Sequence, residues 1–227
     1  MFGRVMTAMV TPFKGGEVNY KEAARLARFS VENGSDSLLI CGSTGENPTM
    51  TKEEKLRLIS TVRETVDVPI MAGTGSFNTQ DSIEFTREVD QLGVESFLIV
   101  TPYYNKPNQQ GLYEHFKAVA QSTDKPIMLY NIPGRSVREI AVDTIVKLAQ
   151  DVPNIKYLKA ACGNLENVSL TRKHAPTDFT IYSGDDGLTL PMLTIGAKGV
   201  VSVASAIIGK EINQMIAEFE KGNLDKA

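Results

Sequence analysis

Short runs rich in Val, Ile, Leu and Met alternate along the whole chain with amphipathic stretches. Eight of these runs read as strands, at 5–10, 37–41, 69–73, 96–101, 126–131, 154–159, 179–183 and 199–204. Their near-continuous apolarity fits parallel strands covered on both faces. They recur about every 20 to 32 residues, which leaves one helix-length segment in each gap. Several gaps open on a helix start signal. Asn19 can cap a helix that runs to about Glu32 and stops at Asn33-Gly34. Thr51 stands three residues before Glu54, a capping-box arrangement. Thr79 heads another helix, ending near Leu92-Gly93. Eight such units with no linker between them predict a closed (β/α)8 TIM barrel spanning 1–227 as one domain. A doubly wound open sheet is the structural alternative, but no Gly-x-Gly-x-x-Gly fingerprint follows the first strand.

A barrel of this kind carries its chemistry at the C-terminal ends of the strands. Unusual polar residues cluster there: Thr7 and Thr11, the run Gly42-Ser43-Thr44-Gly45-Glu46, Thr74, Thr101-Pro102-Tyr103-Tyr104-Asn105, Tyr130-Asn131 with Arg135 beyond, Lys159, Ser183-Gly184-Asp185-Asp186, and Ser202. Lys159 is the costliest of these to bury, because an ammonium out of water must be paired or neutral. A neutral lysine has a use, since burial lowers its pKa and frees the lone pair that attacks a carbonyl. The plain alternative is a lysine pointing into solvent from a loop. The Gly42-Ser43-Thr44-Gly45 turn offers amides and hydroxyls that can hold a carboxylate, or it is a flexible β-to-α turn. Tyr130 can bury its ring and bond its hydroxyl, or move a proton to and from an adduct at Lys159, with Ser43 passing it on. Arg135 is a surface arginine or a bidentate carboxylate clamp. Tyr103-Tyr104-Asn105-Lys106-Pro107 suits a core or an interface. Asp185 and Asp186 look like a metal or general-base pair, yet no third acid or histidine is near them in sequence, and capping is the better reading.

Composition narrows the partners. The net charge is −3 on 227 residues, with both signs interspersed, which gives no reason to expect nucleic acid or an anionic membrane. No apolar run approaches the roughly 20 residues of a membrane span, and Met1-Phe2-Gly3-Arg4 leads into a strand without a signal-peptide layout. Cys41 and Cys162 are the only cysteines and His115 and His174 the only histidines. Their spacing suggests neither a disulfide scaffold nor a metal site. The expectation is a cytoplasmic protein without a metal.

The motifs in order, from Thr11-Pro12-Phe13 through Gly42-Ser43-Thr44-Gly45-Glu46, Ala72-Gly73-Thr74-Gly75, Val100-Thr101-Pro102-Tyr103-Tyr104-Asn105, Tyr130-Asn131-Ile132-Pro133-Gly134-Arg135 and Lys159 to Ser183-Gly184-Asp185-Asp186, carry a resemblance. From Met6 to its end the chain resembles the pyruvate-dependent class I aldolase family that contains dihydrodipicolinate synthase and N-acetylneuraminate lyase. The resemblance implies that Lys159 forms an imine with pyruvate, with no other cofactor. It implies that Tyr130 shuttles the proton, that Ser43 relays it, and that Tyr104 completes the relay from a neighbouring subunit of a homo-oligomer. The amides of Ser43 and Thr44 would hold the pyruvate carboxylate. Arg135 would take the carboxylate of the second substrate, and the Val201 carbonyl and Gly184 backbone would lie near the imine. Arg135 favours a small aldehyde acid, aspartate semialdehyde, as that substrate. The alternatives are cleavage of a sugar acid such as N-acetylneuraminate, or a barrel with little activity.

The chain departs from the family at several points. Ser43 stands for a usual threonine, Ala160 for a common acid, and Cys162 for a Thr, Ser or Gly. The resemblance also implies a C-terminal helical extension beyond Ala227, whose loss would bare apolar surface and alter assembly. Lys52 and Lys55, with Phe77, fall where family members with lysine feedback bind lysine, and two cations there imply weak or absent feedback.

Overall fold

The computed structural model describes residues 2–227. Ten strands form: β1 (Val5–Ala8), β2 (Phe13–Lys14), β3 (Glu17–Val18), β4 (Ser37–Ile40), β5 (Ile70–Gly73), β6 (Ser96–Val100), β7 (Ile127–Asn131), β8 (Ile155–Ala160), β9 (Thr180–Ser183) and β10 (Gly199–Ser202). Between them run α1 (Tyr20–Glu32), α2 (Lys52–Arg63), α3 (Thr79–Asp90), α4 (Gln109–Ala120), α5 (Pro133–Ser136), α6 (Val142–Asp151), α7 (Leu165–His174), α8 (Thr189–Thr194) and α9 (Ser205–Glu220). Eight of the strands close a parallel barrel in the order β1-β10-β9-β8-β7-β6-β5-β4. This is the (β/α)8 TIM barrel the spacing predicts, and all eight expected strands are in it.

Parallel strands covered by helices bury both faces, which is why the runs are apolar throughout. Residues pointing out from the strands, such as Leu38, Ile40, Ile70, Phe97 and Ile99, pack under the helices. Residues pointing in fill the barrel: Met6, Leu39, Met71, Leu98, Met128, Tyr130, Tyr182 and Val201. Three unbranched methionines in this interior suit its irregular gaps. Phe2, Tyr157 and Tyr182 plug the end where the strands begin. Phe2 and Tyr157 meet edge to face at 5.4 Å, and the fully buried Tyr182 donates its hydroxyl to the Gly3 carbonyl at 3.1 Å. With that end filled, the barrel opens only where the strands finish.

The helix signals hold. Asn19 accepts the Glu22 amide at 3.2 Å, and Thr51 with Glu54 forms the full capping box. The start of α3 differs by one residue: Asn78, not Thr79, is the cap, because its carboxamide accepts the Gln80 amide at 2.9 Å. Thr79 instead spends its hydroxyl on Nδ1 of His115 at 2.9 Å. Strand ends also shift. The chain leaves β4 at Cys41, whose φ of 57 turns it sharply, while β8 runs one residue past Lys159. The small hairpin β2–β3 follows from Gly15-Gly16, whose φ values of 63 and 89 supply the left-handed pair a tight two-residue turn needs.

His115 is the one buried histidine. It is 5% exposed, its Nε2 has no partner, and burial pushes its pKa down to about 4. The folded pKa lies below the unfolded value, so the neutral ring's stability is complete above about pH 6.5 and is lost as pH falls towards 4. By pH 4 the loss reaches roughly 2–3 kcal/mol. Urea unfolding from pH 7 to 4 is expected to show this loss in the native chain. It should be largely absent in His115→Asn, which keeps a group for Thr79 but does not titrate.

Candidate active site

Lys159 and Tyr130 sit on neighbouring strands, and the register pairs them directly, as it pairs Tyr130 with Val100 and Lys159 with Tyr182. Residues so paired in a parallel sheet point to the same face, here the barrel interior. Lys159 is 3% exposed. Its Nζ lies 4.3 Å from the centroid of the Tyr130 ring, within cation–π range. Burial lowers the Lys159 pKa to about 8; the Arg135 charge lowers it too, and the Asp186 charge opposes both. At pH 7 roughly one amine in ten is then neutral, against roughly one in three thousand for an ordinary lysine.

The next strand makes room for this side chain. A Cβ on Gly184 would come within 2.9 Å of Lys159 Cγ and 3.1 Å of its Cε. Gly184 is held there by its amide, which donates to the Ala160 carbonyl at 2.8 Å. Only glycine lets the exit of β9 cross so close to the lysine stem.

Tyr130 is 4% exposed, and burial raises its phenol pKa, while the nearby Ser43 side chain and the Arg135 charge pull it back. Ser43 opens a single 3-10 turn, Ser43–Gly45, directly after β4. Thr11 fixes this turn by donating its hydroxyl to the Gly45 carbonyl at 2.6 Å. Arg135 comes from α5, the one-turn helix that Pro133 starts. Ser43, Tyr130 and Arg135 all line a cavity of about 270 Å3, together with Leu98, Val100 and Tyr103. The result is an apolar chamber with a hydroxyl pair at one place and a guanidinium at another. Cys41 also lines it, but burial pushes its thiol up to about 12, so it stays protonated and unreactive.

Five of the sequence-selected residues are not on the wall of that cavity. Lys159 lies behind it against the Tyr130 ring, and Gly184 lies over the lysine. Val201 is buried inside the barrel, and Thr44 is half-buried in the turn beside Ser43. Tyr104 is the outlier. It is 87% exposed with a φ of 67, while its neighbour Tyr103 lines the cavity and packs edge to face on Phe77 at 5.4 Å. Of the two acids, Asp185 caps the following turn by accepting the Gly187 amide at 3.1 Å. Asp186 reaches across to the exit of β10, a link that sequence spacing does not reveal. Among the described residues no group of three or more His, Cys, Asp or Glu is placed to hold a metal ion, and no helix is long and apolar enough to cross a membrane.

A second cavity lies beyond Asn47, Pro48 and Tyr103 and contains Lys52 and Lys55. It also contains Asp81, Glu84 and Glu88, and Lys52 is paired with Glu88 at 3.0 Å. The two lysines therefore share that cavity with three carboxylates.

Comparison with known proteins places this geometry. The model of the dihydrodipicolinate synthetase family matches residues 1–227. The chain is 52% identical to the 4-hydroxy-tetrahydrodipicolinate synthase of Desulforamulus reducens, covering 98% of this chain and 76% of that protein. It is 48% identical to the enzyme of the same name from Bacillus subtilis, covering 100% and 79%. The crystal structure of a dihydrodipicolinate synthase from Bacillus anthracis superposes with a TM-score of 0.97 at 47% identity, over 100% of this chain and 78% of that one. A family model that spans the whole chain, relatives near half identity and a matching barrel agree: the chain belongs to the dihydrodipicolinate synthetase family.

Proposed function

We propose that this chain is a carbon–carbon lyase that condenses pyruvate with aspartate semialdehyde through an imine on Lys159. The product is 4-hydroxy-tetrahydrodipicolinate, on the route to diaminopimelate and lysine, and the reaction runs in the cytoplasm. The observation that carries the reading is the buried Lys159 amine, its pKa lowered to about 8, set over Tyr130 at the one open end of the barrel. The family relatives named above supply the choice of substrates.

Neutral Lys159 attacks the pyruvate ketone; Tyr130 protonates the new alkoxide and takes back a proton from the ammonium nitrogen, which gives the carbinolamine and restores the phenol. Tyr130 then protonates the departing hydroxyl, and water leaves as the imine forms. The protonated imine is an electron sink, so a methyl proton of the bound pyruvate can be removed to give the enamine. The enamine carbon attacks the aldehyde, whose oxygen takes up a proton, and the amino group of the aspartate semialdehyde then attacks the imine carbon, closing the ring and expelling the Lys159 amine. Lys159 is thus the covalent partner and no further cofactor is invoked. The Ser43 hydroxyl, which lines the same cavity as Tyr130, relays protons between the phenol and the mouth. The amides of Ser43 and Thr44, at the start of a helical turn, suit the pyruvate carboxylate. Arg135, exposed on the cavity rim, suits the carboxylate of the aldehyde. Gly184 and the Val201 carbonyl border the imine.

Tyr104 has no task in its own barrel. Its exposure and left-handed backbone fit a residue presented outward, and we assign it to the proton relay of a neighbouring copy in a homo-oligomer.

Borohydride reduction with pyruvate is expected to add a pyruvyl-sized mass at Lys159 alone, with a rate that falls about tenfold per pH unit below pH 8. A folded protein that gives no adduct, or one that turns over N-acetylneuraminate faster than it condenses aspartate semialdehyde, contradicts the reading. Lys159→Met should abolish the adduct and also raise unfolding stability at pH 7 by roughly 1–3 kcal/mol, because it removes a buried ammonium. Arg135→Ala should raise KM for the aldehyde at least about tenfold and leave pyruvate trapping nearly intact. Gly184→Ala should keep the fold by circular dichroism yet slow imine formation about 100-fold, since the added methyl displaces the lysine stem.

A further inference from the structure

Asp186 is the one acid whose charge acts on Lys159, and it is built into the mouth more firmly than capping requires. It follows β9, in the 3-10 turn Asp186–Leu188. Its carboxylate crosses to the exit of β10 and uses both oxygens there. Oδ1 accepts the Ser202 hydroxyl, and Oδ2 accepts the amides of Val203 at 3.2 Å and Ala204 at 3.0 Å. These amides precede α9, whose first turn has no side-chain cap of its own. A carboxylate that accepts three hydrogen bonds at a helix N-terminus is fixed in place. The clamp continues inward. Ser202 Oγ accepts the Ser205 amide at 2.8 Å, the Ser205 and Thr7 hydroxyls lie 2.7 Å apart, and Thr7 and Ser35 lie 2.5 Å apart. All four hydroxyl residues are buried. The exits of β9 and β10 are thus tied to each other and, through Ser205, to Thr7 inside β1 and Ser35 ahead of β4.

Two consequences meet at Lys159. Ser202 directly follows Val201, so the clamp sets the height of the strand that borders the imine. The groups acting on the lysine from its surroundings are the Tyr130 ring on β7, the Arg135 guanidinium on α5 and the Asp186 carboxylate after β9; Tyr157 and Tyr182 lie deeper, among the barrel-filling residues. Only Asp186 is anionic among these, and a neutral amide in its place would leave the amine facing a cation and apolar walls. We propose that Asp186 is a positioning residue for the imine site, one that fixes the β9–β10 rim over Lys159 and sets its carboxylate on the lysine's side of the mouth. The inference rests on the Schiff-base reading above. It implies that Asp186 keeps the amine from losing its proton too readily, so that the protonated imine formed from it remains the electron sink.

The test is the pH profile of pyruvate trapping by borohydride, read with steady-state condensation kinetics and thermal melting for the native chain, Asp186→Asn, Asp186→Glu and Ser202→Ala. In Asp186→Asn the acid limb of imine formation is expected to move to lower pH by on the order of half a unit or more, and kcat for condensation to fall about tenfold with KM for pyruvate within about threefold. Asp186→Glu should return the limb towards its native position. Ser202→Ala leaves the charge but loosens the rim, so the limb should stay while kcat falls. A lowered melting temperature with an unmoved limb in Asp186→Asn makes the residue merely structural and overturns the proposal, as does an unchanged kcat. If Asp186→Asn does not fold, an unchanged kcat in Ser202→Ala overturns it alone. No adduct in the native chain would instead bring down the Schiff-base reading itself.

Discussion

An amine taken out of water is the constraint around which this barrel is arranged. Lys159 sits almost fully buried at the end of an apolar strand, where its charged form is costly. The fold meets that cost in three ways. The amine sheds part of its proton, its residual charge lies over the Tyr130 ring, and a carboxylate stands across the rim. None of these is a direct ion pair, and a direct pair would hold the proton and silence the nucleophile. Burial, ring and carboxylate together leave the pKa at about 8, which suits the proposed double role of nucleophile and imine nitrogen.

The rest of the architecture serves that arrangement. Phe2, Tyr157 and Tyr182 fill the barrel from the end where the strands begin, so the lysine meets solvent from one side only. The strand register puts Tyr130 beside it without reliance on a loop. Gly184 gives it space that any other residue would occupy. Short turns after the strands frame the mouth: Ser43–Gly45, pinned by Thr11, and the one-turn α5 that carries Arg135. In the proposed mechanism rigid strands hold the atoms that react, and turns hold the groups that recognise.

Much of this was legible in the sequence, and the reason is periodicity. Buried parallel strands are apolar at every position, so eight runs and their spacing disclosed the barrel, and the barrel told where polar strand-end residues converge. Asn19 and Thr51 declared their helices because capping is local chemistry. What stayed hidden depends on contacts between residues far apart. Asn78 took the cap from Thr79 because His115, on another helix, claims the Thr79 hydroxyl. Asp186 read as a local cap, yet its partners lie 16 to 18 residues on, at the end of another strand. Lysines 52 and 55 read as a cationic pair because the acids of α3 that face them are distant in sequence. The site residues themselves were identified from motif resemblance, and geometry then supplied the distances that give Lys159 and Tyr130 their proposed roles.

The central claim is that the fold itself lowers the Lys159 pKa. The most direct measurement is an NMR titration of the lysine side chains, selectively labelled at the ε-carbon, in the free protein, with Lys159→Met to assign the signal. A midpoint near pH 8 for Lys159 alone agrees with the account. A midpoint at the ordinary lysine value, about 10.4, would contradict it, whatever activity the protein shows.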